Sequence, residues 1–254
     1  MKMLFTSTIL FVGLFMTCCE KSTSYPHFEF HPNKLLKVLL QEGDTLFSYF
    51  YNEQDQLIEK KFYYQNQQGH SEFYMYNEVG MISDRLTPYE HEIFQYDENN
   101  TIKSKTIIYQ EGTDSEHQRT EYFYYNKRGI IYCSEEYVGN EVVNVHFYRN
   151  DEWGRIIEKK SYLDETKKNT LSELRLIYNN TFAPVRDYDR IPVDFNQLHN
   201  LSMYYHYSAL MSSFPLEHYF EYEYDDDGYP VMKKEYFNRS TDTLIYTYIY
   251  EPLE

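Results

Sequence analysis

The sequence predicts an all-β protein: an antiparallel up-and-down meander of Tyr-rich hairpins, curled into a single sheet or an open barrel, with a short, partly helical insert. Three observations carry this. Of 254 residues 30 are Tyr and 17 are Phe, side chains that favour the pleated, half-buried surface of a strand. Those aromatics alternate with other residues over short runs, the period of a strand. One pattern also recurs along the chain: aromatic-x-Tyr, Asn or Asp, two residues, Gly, then an apolar run.

The repeats define the elements in order. Phe47–Ile58, Phe73–Ile82, Ile93–Ile102, Tyr122–Ile131 and Phe220–Pro230 share the pattern, and Val145–Ile156 carries it with one added residue. Asn or Asp opens a type I turn by bonding its own backbone two residues on. Gly in fourth place takes the left-handed conformation that closes the turn with a bulge. The turns start at Asn52, Asn77, Asp97, Asn126, Asp151 (or Asn150) and Asp225. The fourth place holds Asp55, Gly80, Asn100, Gly129, Gly154 and Gly228. Asp and Asn are the next-best residues for positive φ, so Asp55 and Asn100 are expected there. Return strands follow at Leu57–Tyr64, Ile102–Tyr109, Ile130–Val138, Ile156–Leu163 and Val231–Phe237, and Leu244–Tyr250 closes the chain. This spacing suggests roughly twelve to fourteen strands.

Residues 179–216 interrupt the pattern. They hold Pro184, Pro192 and Pro215, and proline rarely occupies a central strand. The expectation is an insert with helical turns near Asp194–His199 and Ser208–Met211, within one repetitive β domain over 35–254.

The N-terminus reads as an export signal over 1–18. Lys2 supplies the positive end, and Leu4–Met16 is apolar apart from Thr and Ser. Those thirteen residues fall short of the roughly 20 that span a bilayer as a helix. The run ends Thr17-Cys18-Cys19-Glu20, similar to a bacterial lipoprotein signal whose first mature Cys is acylated. Cys19 is the expected lipidation site, with Cys18 the alternative, and 19–34 a linker. More than one acyl chain, such as palmitate, makes anchoring stable. Cys133 then stands without a disulfide partner and is expected to be a small buried residue.

Composition also restricts partners. Asp plus Glu is 40 against 24 Lys plus Arg, for a formal charge of −16. Nucleic-acid binding needs a surplus of base, so no nucleic-acid partner is expected. The pairs Lys159-Lys160 and Lys233-Lys234 are flanked by acids and read as solvated strand faces. There is no Gly-rich phosphate loop, Gly-x-Ser-x-Gly elbow or Cys-x-x-Cys pair. His91-Glu92 opens like a zinc-protease motif, but no His follows at the needed place. Asp225–Asp227 lacks the alternating ligands and later acid of a calcium loop. No catalytic residue, metal or cofactor is expected.

The Tyr-Asp-Asp-Asp-Gly-Tyr turn (224–229) and its weaker copies resemble the YD repeats of RHS and teneurin shells, for which this chain is too short. The Tyr-rich hairpins, the Pro-containing stretch after Tyr178-Asn179-Asn180 and the hairpin at 222–230 also resemble a family of envelope lipoproteins of Gram-negative gut bacteria, built on a porin-like domain of unknown function. That resemblance covers most of residues 35–251. It implies an antiparallel sheet curled toward an open barrel on the cell envelope, and supplies no catalytic residue. Charge on both faces of the return strands, as at Glu59-Lys60-Lys61 and Glu158-Lys159-Lys160, argues against a lipid-embedded pore. The expected protein is a non-enzymatic module, lipid-anchored at the outer membrane and facing periplasm or surface. It would bind a ligand, a glycan or a protein, or act as a carrier of an apolar ligand; a glycan-active hydrolase is the remote alternative.

Overall fold

The computed structural model describes residues 34–113, 116–152, 154–163, 170–182, 199–208, 216–237 and 242–253. The signal, Cys18, Cys19, most of the linker and Trp153 lie outside the described residues. The first eight strands are β1 (Lys34–Gln41), β2 (Asp44–Tyr51), β3 (Leu57–Tyr64), β4 (Gln67–Tyr76), β5 (Ile82–Leu86), β6 (Glu90–Tyr96), β7 (Ile102–Tyr109) and β8 (His117–Tyr125). The rest are β9 (Ile131–Val138), β10 (Glu141–Asn150), β11 (Ile156–Tyr162), β12 (Thr170–Phe182), β13 (His199–Ser208), β14 (Leu216–Tyr224), β15 (Pro230–Phe237) and β16 (Thr243–Pro252). Each strand pairs antiparallel with its sequence neighbours, and β1 also pairs with β16, so the sheet closes into a barrel. Near this seam Lys34 reaches past β16 to the turn between β14 and β15, bonding Asp225 at 2.8 Å.

Two expectations need correction. The expected all-β antiparallel meander is present as one sheet curled into a barrel, with sixteen strands among the described residues rather than twelve to fourteen. The stretch expected as an insert supplies the end of β12 and the whole of β13, paired from Ser172↔Ser208 to Phe182↔His199. Pro184, Pro192 and Pro215 lie outside the described residues. The helical turns expected near 194–199 and 208–211 fall outside the described residues, except His199 and Ser208, which are the ends of β13.

The six turns form as their residues dictate. In each, the opening Asn or Asp donates its N–H to the carbonyl four residues on at 2.8–2.9 Å and accepts at its carbonyl from the fourth residue at 2.9–3.1 Å. Its side-chain Oδ1 also accepts backbone N–H groups within the turn, as Asp97 does from Asn99 and Thr101, both at 2.9 Å. Positive φ occurs at the fourth place of all six, including Asp55 at 59° and Asn100 at 60°. Asp151, rather than Asn150, opens the fifth turn. A register shift follows each turn, for example between Gln95 and Tyr96 against Ile102, which is the bulge that a left-handed fourth residue produces.

The bulge has a consequence for the tyrosines. Within a hairpin the ladder reaches the turn; between hairpins it stops two residues short, as at Glu59↔Phe73 or Asp84↔Ile93. The first carbonyl of each return strand is therefore left without a ladder partner, and a tyrosine hydroxyl from the next strand donates to it. Tyr76 reaches Leu57 at 2.8 Å, Tyr96 reaches Ile82 at 2.7 Å, and Tyr125 reaches Ile102 at 2.9 Å. Tyr178 to Ile156, Tyr250 to Pro230 and Tyr51 to Leu36 repeat the bond. At the β9–β10 junction the equivalent position is Asn150, which instead donates to its own turn at Gly154. Each such bond contributes about 1 kcal/mol and prevents the larger cost of a buried orphan carbonyl. The rings of Tyr51, Tyr76, Tyr96, Tyr125 and Tyr250 pack against one continuous buried cluster that includes Leu36, Leu57, Ile82, Ile102, Ile131 and Ile156 with Tyr49, Tyr74, Phe94, Phe123 and Tyr148. Burying a Leu or Ile side chain contributes about 1.5–3 kcal/mol. Burial holds the Tyr96 hydroxyl at a pKa of about 12, so it stays a donor.

Candidate functional site

Residues directly opposite in an antiparallel pair share a face. The buried Tyr49, Tyr74, Phe94, Phe123 and Tyr148 thus identify the inward face, and their partners Lys60, Arg85, Lys105, Ser134 and Lys159 share it. Every one of these partners stands eight residues after its turn-opening Asn or Asp, as does Lys233 after Asp225. The lysine pairs expected on solvated faces are therefore split. Lys159 and Lys233 point inward over the rings of Tyr148 and Tyr246, at 5.6 and 3.8 Å, while Lys160 and Lys234 point outward. Burial drives the Lys233 pKa down, against the opposing pull of Glu235.

This inward cation row meets a carboxylate row. Arg85 pairs with Glu92 at 2.6 Å; Lys105 lies 3.8 Å from Glu92 and 4.0 Å from Glu121. Ser134 donates to Glu121 at 2.6 Å and lies 3.0 Å from the Tyr148 hydroxyl. On the far side Glu235 accepts from Tyr246 at 2.9 Å and meets His218 at 2.6 Å. Glu92 is only 2% exposed, so removing its partners would leave a buried charge and cost several kcal/mol.

One sector departs from this arrangement. In the next inward row Phe47 faces Phe62, Glu92 faces Ile107 and Glu121 faces Glu136. At β10–β12 the same row reads His146, Ser161, Ser172. Small side chains there leave a cavity of about 320 Å³ in the inner wall, whose lining includes His146, Lys159, Ser161, Ser172, Leu174 and His206. His146 Nδ1 lies 2.8 Å from Ser161 Oγ, and its Nε2 is 4.0 Å from Glu136. Burial, then the nearby Lys159, lowers the His146 pKa to about 3, so the ring is neutral at pH 7. Glu136 is held by Arg119 at 2.9 Å and by Asn144 at 2.6 Å.

A second hollow of about 430 Å³ involves Arg149, Arg155 and Arg175. Its cations are engaged: Arg155 by Asp151 at 2.6 Å, Arg149 and Arg175 by Glu158 at 3.3 and 3.5 Å.

Of the residues singled out in the sequence, Cys19 and Cys18 are outside the described part. Cys133 is buried, as expected. His91 sits between Asp84 and Glu111, each at 2.9 Å, remote in role from the inner rows. Asp225 and Asp227 hold Lys34 at the seam. Sequence reasoning missed the inner cation row, although its signal was present as a Lys or Arg eight residues after five of the six turn openers.

No protein-family profile and no curated protein matches the chain. Among solved structures it is similar to a porin-like protein from Bacteroides uniformis, with a TM-score of 0.53 and 11% identity over 87% of this chain and 98% of that one. A porin-like protein from Bacteroides vulgatus is similar to the same degree, with a TM-score of 0.53 and 15% identity over 86% and 100%. At these identities the likeness extends to the fold: the chain is an antiparallel β-barrel built like two porin-like proteins of gut Bacteroides.

Proposed function

We propose that this protein is a non-enzymatic binding barrel of the cell envelope, held at the outer membrane by acyl chains on Cys19 and standing in water rather than spanning the bilayer. The observation that carries this reading is the outward face. At mid-strand it bears Glu158 with Arg149, Lys160 and Arg175, and Lys160 lies 3.9 Å from Glu173. Glu59 with Lys61, and Glu223 with Lys234, repeat this elsewhere on the wall. A Lys or Arg facing lipid at the midplane costs about 2–4 kcal/mol each, and an apolar band would stand in its place. The cavity favours a small polar ligand over an apolar cargo, because His, Ser and Lys line it.

Lys34, the first described residue, lies beside the turn at 225–229. The tether would place that end toward the membrane.

The test uses the full chain with a protease site in the linker. Palmitate label should appear on the wild type and be lost in Cys19→Ala. Cutting the linker should release the barrel into detergent-free buffer as a β-rich monomer. A barrel that stays with the bilayer after cutting would refute the reading; label lost only in Cys18→Ala would move the anchor by one residue.

A further inference from the structure

We infer that His91 is a proton-operated clasp on the outer wall: when protonated it ties the β7–β8 turn to β5, and on losing its proton it lets that turn go. The clasp lies outside the inner rows and stands whether or not the barrel binds a ligand.

Glu92 is turned inward opposite Arg85 and Ile107, so its neighbour His91 presents its ring on the outward face. There the ring stands between two carboxylates from separate elements. Its Nε2 is 2.9 Å from Asp84 of β5, and its Nδ1 is 2.9 Å from Glu111, in the turn after β7. A carboxylate only accepts, and a neutral imidazole has one N–H and a lone pair on its other nitrogen. Both contacts are hydrogen bonds only when the ring carries two protons. A neutral ring would turn a lone pair toward one of the carboxylates. Directly across the two ladders stand Leu86 and Ile108, both apolar. Arg85 and Lys105 point inward to Glu92, and Glu116 accepts from the Gly112 N–H at 2.8 Å. Burial pulls the His91 pKa down, yet hydrogen bonds and charge from Asp84 and Glu111 outweigh it and hold it above the ordinary 6.5.

The two bonds are not equally durable. Asp84 belongs to a strand and its side chain is 24% exposed, whereas Glu111 belongs to a turn and is 52% exposed. The single N–H of the neutral ring therefore stays with Asp84, and Glu111 turns to water. What still joins this turn to the β5–β6 turn is the Gln110 N–H on the Tyr89 carbonyl, at 3.2 Å, the long end of the range for such bonds. The clasp is complete below pH 6.5 and opens as pH rises through the higher folded value. That direction is opposite to the one His146 follows, since burial keeps the His146 ring neutral.

Nuclear magnetic resonance of the isotope-labelled full chain in detergent, from about pH 5 to about pH 9, tests this. The His91 ring should titrate above 6.5. Through that midpoint the Gly112 amide should lose order, its order parameter falling from about 0.85 toward 0.6. Glu111→Ala should lower the His91 midpoint and leave Gly112 mobile at both ends of the range. Asp84→Asn separates a clasp from a merely structural contact. Its amide can donate to a bare ring nitrogen as well as accept from an N–H, so the neutral ring keeps an N–H for Glu111 and Gly112 should stay ordered throughout. A His91 midpoint at or below 6.5, Gly112 order unchanged across the midpoint, or a transition that persists in Glu111→Ala or in Asp84→Asn would each overturn the inference. The first two are read on the wild type alone, so they decide the matter even where a variant fails to fold.

Discussion

The turn end of the barrel and the β10–β13 wall face the same interior and are built on the same hairpin, yet they differ in what the repeat is allowed to vary. At the turn end, the first return-strand residue is Leu57, Ile82, Ile102, Ile131, Ile156 or Pro230, each buried, and in five of the six hairpins a tyrosine hydroxyl satisfies its carbonyl. Three residues further into the strand the repeat tolerates Lys, Arg or Ser, and beyond that Phe, Ile, Glu or Ser. The backbone device at the turn fixes the first set, because a bulged ladder needs both a donor for the stranded carbonyl and an apolar cover. No backbone requirement acts on the second set, so its chemistry is free to differ from hairpin to hairpin.

The largest expected effect tests the turn end. Leu57 is 1% exposed in the core cluster against which Tyr76, the donor to its carbonyl, packs. Leu57→Ala truncates this buried side chain and leaves a void, and should cost about 3 kcal/mol, measured by urea unfolding of the linker-cut barrel. Leu174→Ala, on the half-buried cavity wall, should cost clearly less. Equal losses would mean the two regions are packed alike and the contrast is false.

A smaller effect, with a pH signature, tests the wall. His146 has a folded pKa of about 3 against an ordinary 6.5. The unfolded chain therefore binds a proton over that interval while the folded one does not, and stability falls as pH drops below 6.5. Between pH 7 and 4.5 His146 alone should account for about 2–3 kcal/mol of lost stability. His146→Gln, which keeps a hydrogen-bonding group near Ser161, should flatten the curve by that amount while leaving any acid loss from other groups. An unchanged slope in the variant would show that the imidazole is charged, or solvated, in the folded barrel.

The two regions were also unequally legible before the structure. The Asn/Asp-x-x-Gly turns could be read because their chemistry is local: five consecutive residues contain the donor, the acceptor and the left-handed position. The wall could not, because His146, Ser161 and Ser172 meet only through register across three strands. Tyrosine number was informative about strands but silent on facing, since Tyr124 looks outward to Glu135 while its neighbour Tyr125 looks inward to Ile102. β13 escaped notice because prolines in the same stretch of sequence argue against a central strand. Closure was invisible for a related reason: β1 and β16 meet across nearly the whole chain, a pairing that no neighbouring sequence announces.

The smallest expected effect asks how strictly the turn dictates its fourth residue. Gly129 and Asp55 occupy equivalent places at φ 72° and 59°. A Cβ added at Gly129 would meet nothing within 4 Å, so Gly129→Ala isolates backbone strain from crowding and should cost about 1 kcal/mol. Asp55→Gly is the reciprocal change. It relieves the left-handed strain but loosens the unfolded chain, and the two effects partly cancel. A net gain of about 0.5 kcal/mol is expected, read as a small upward shift of the urea midpoint with unchanged slope. A loss instead would show that the Asp55 side chain stabilises its turn by more than glycine's freedom does. The repeat would then select Asp or Asn in the first and third hairpins for what their side chains bond, and the bulge would follow from that bond rather than from the left-handed residue alone.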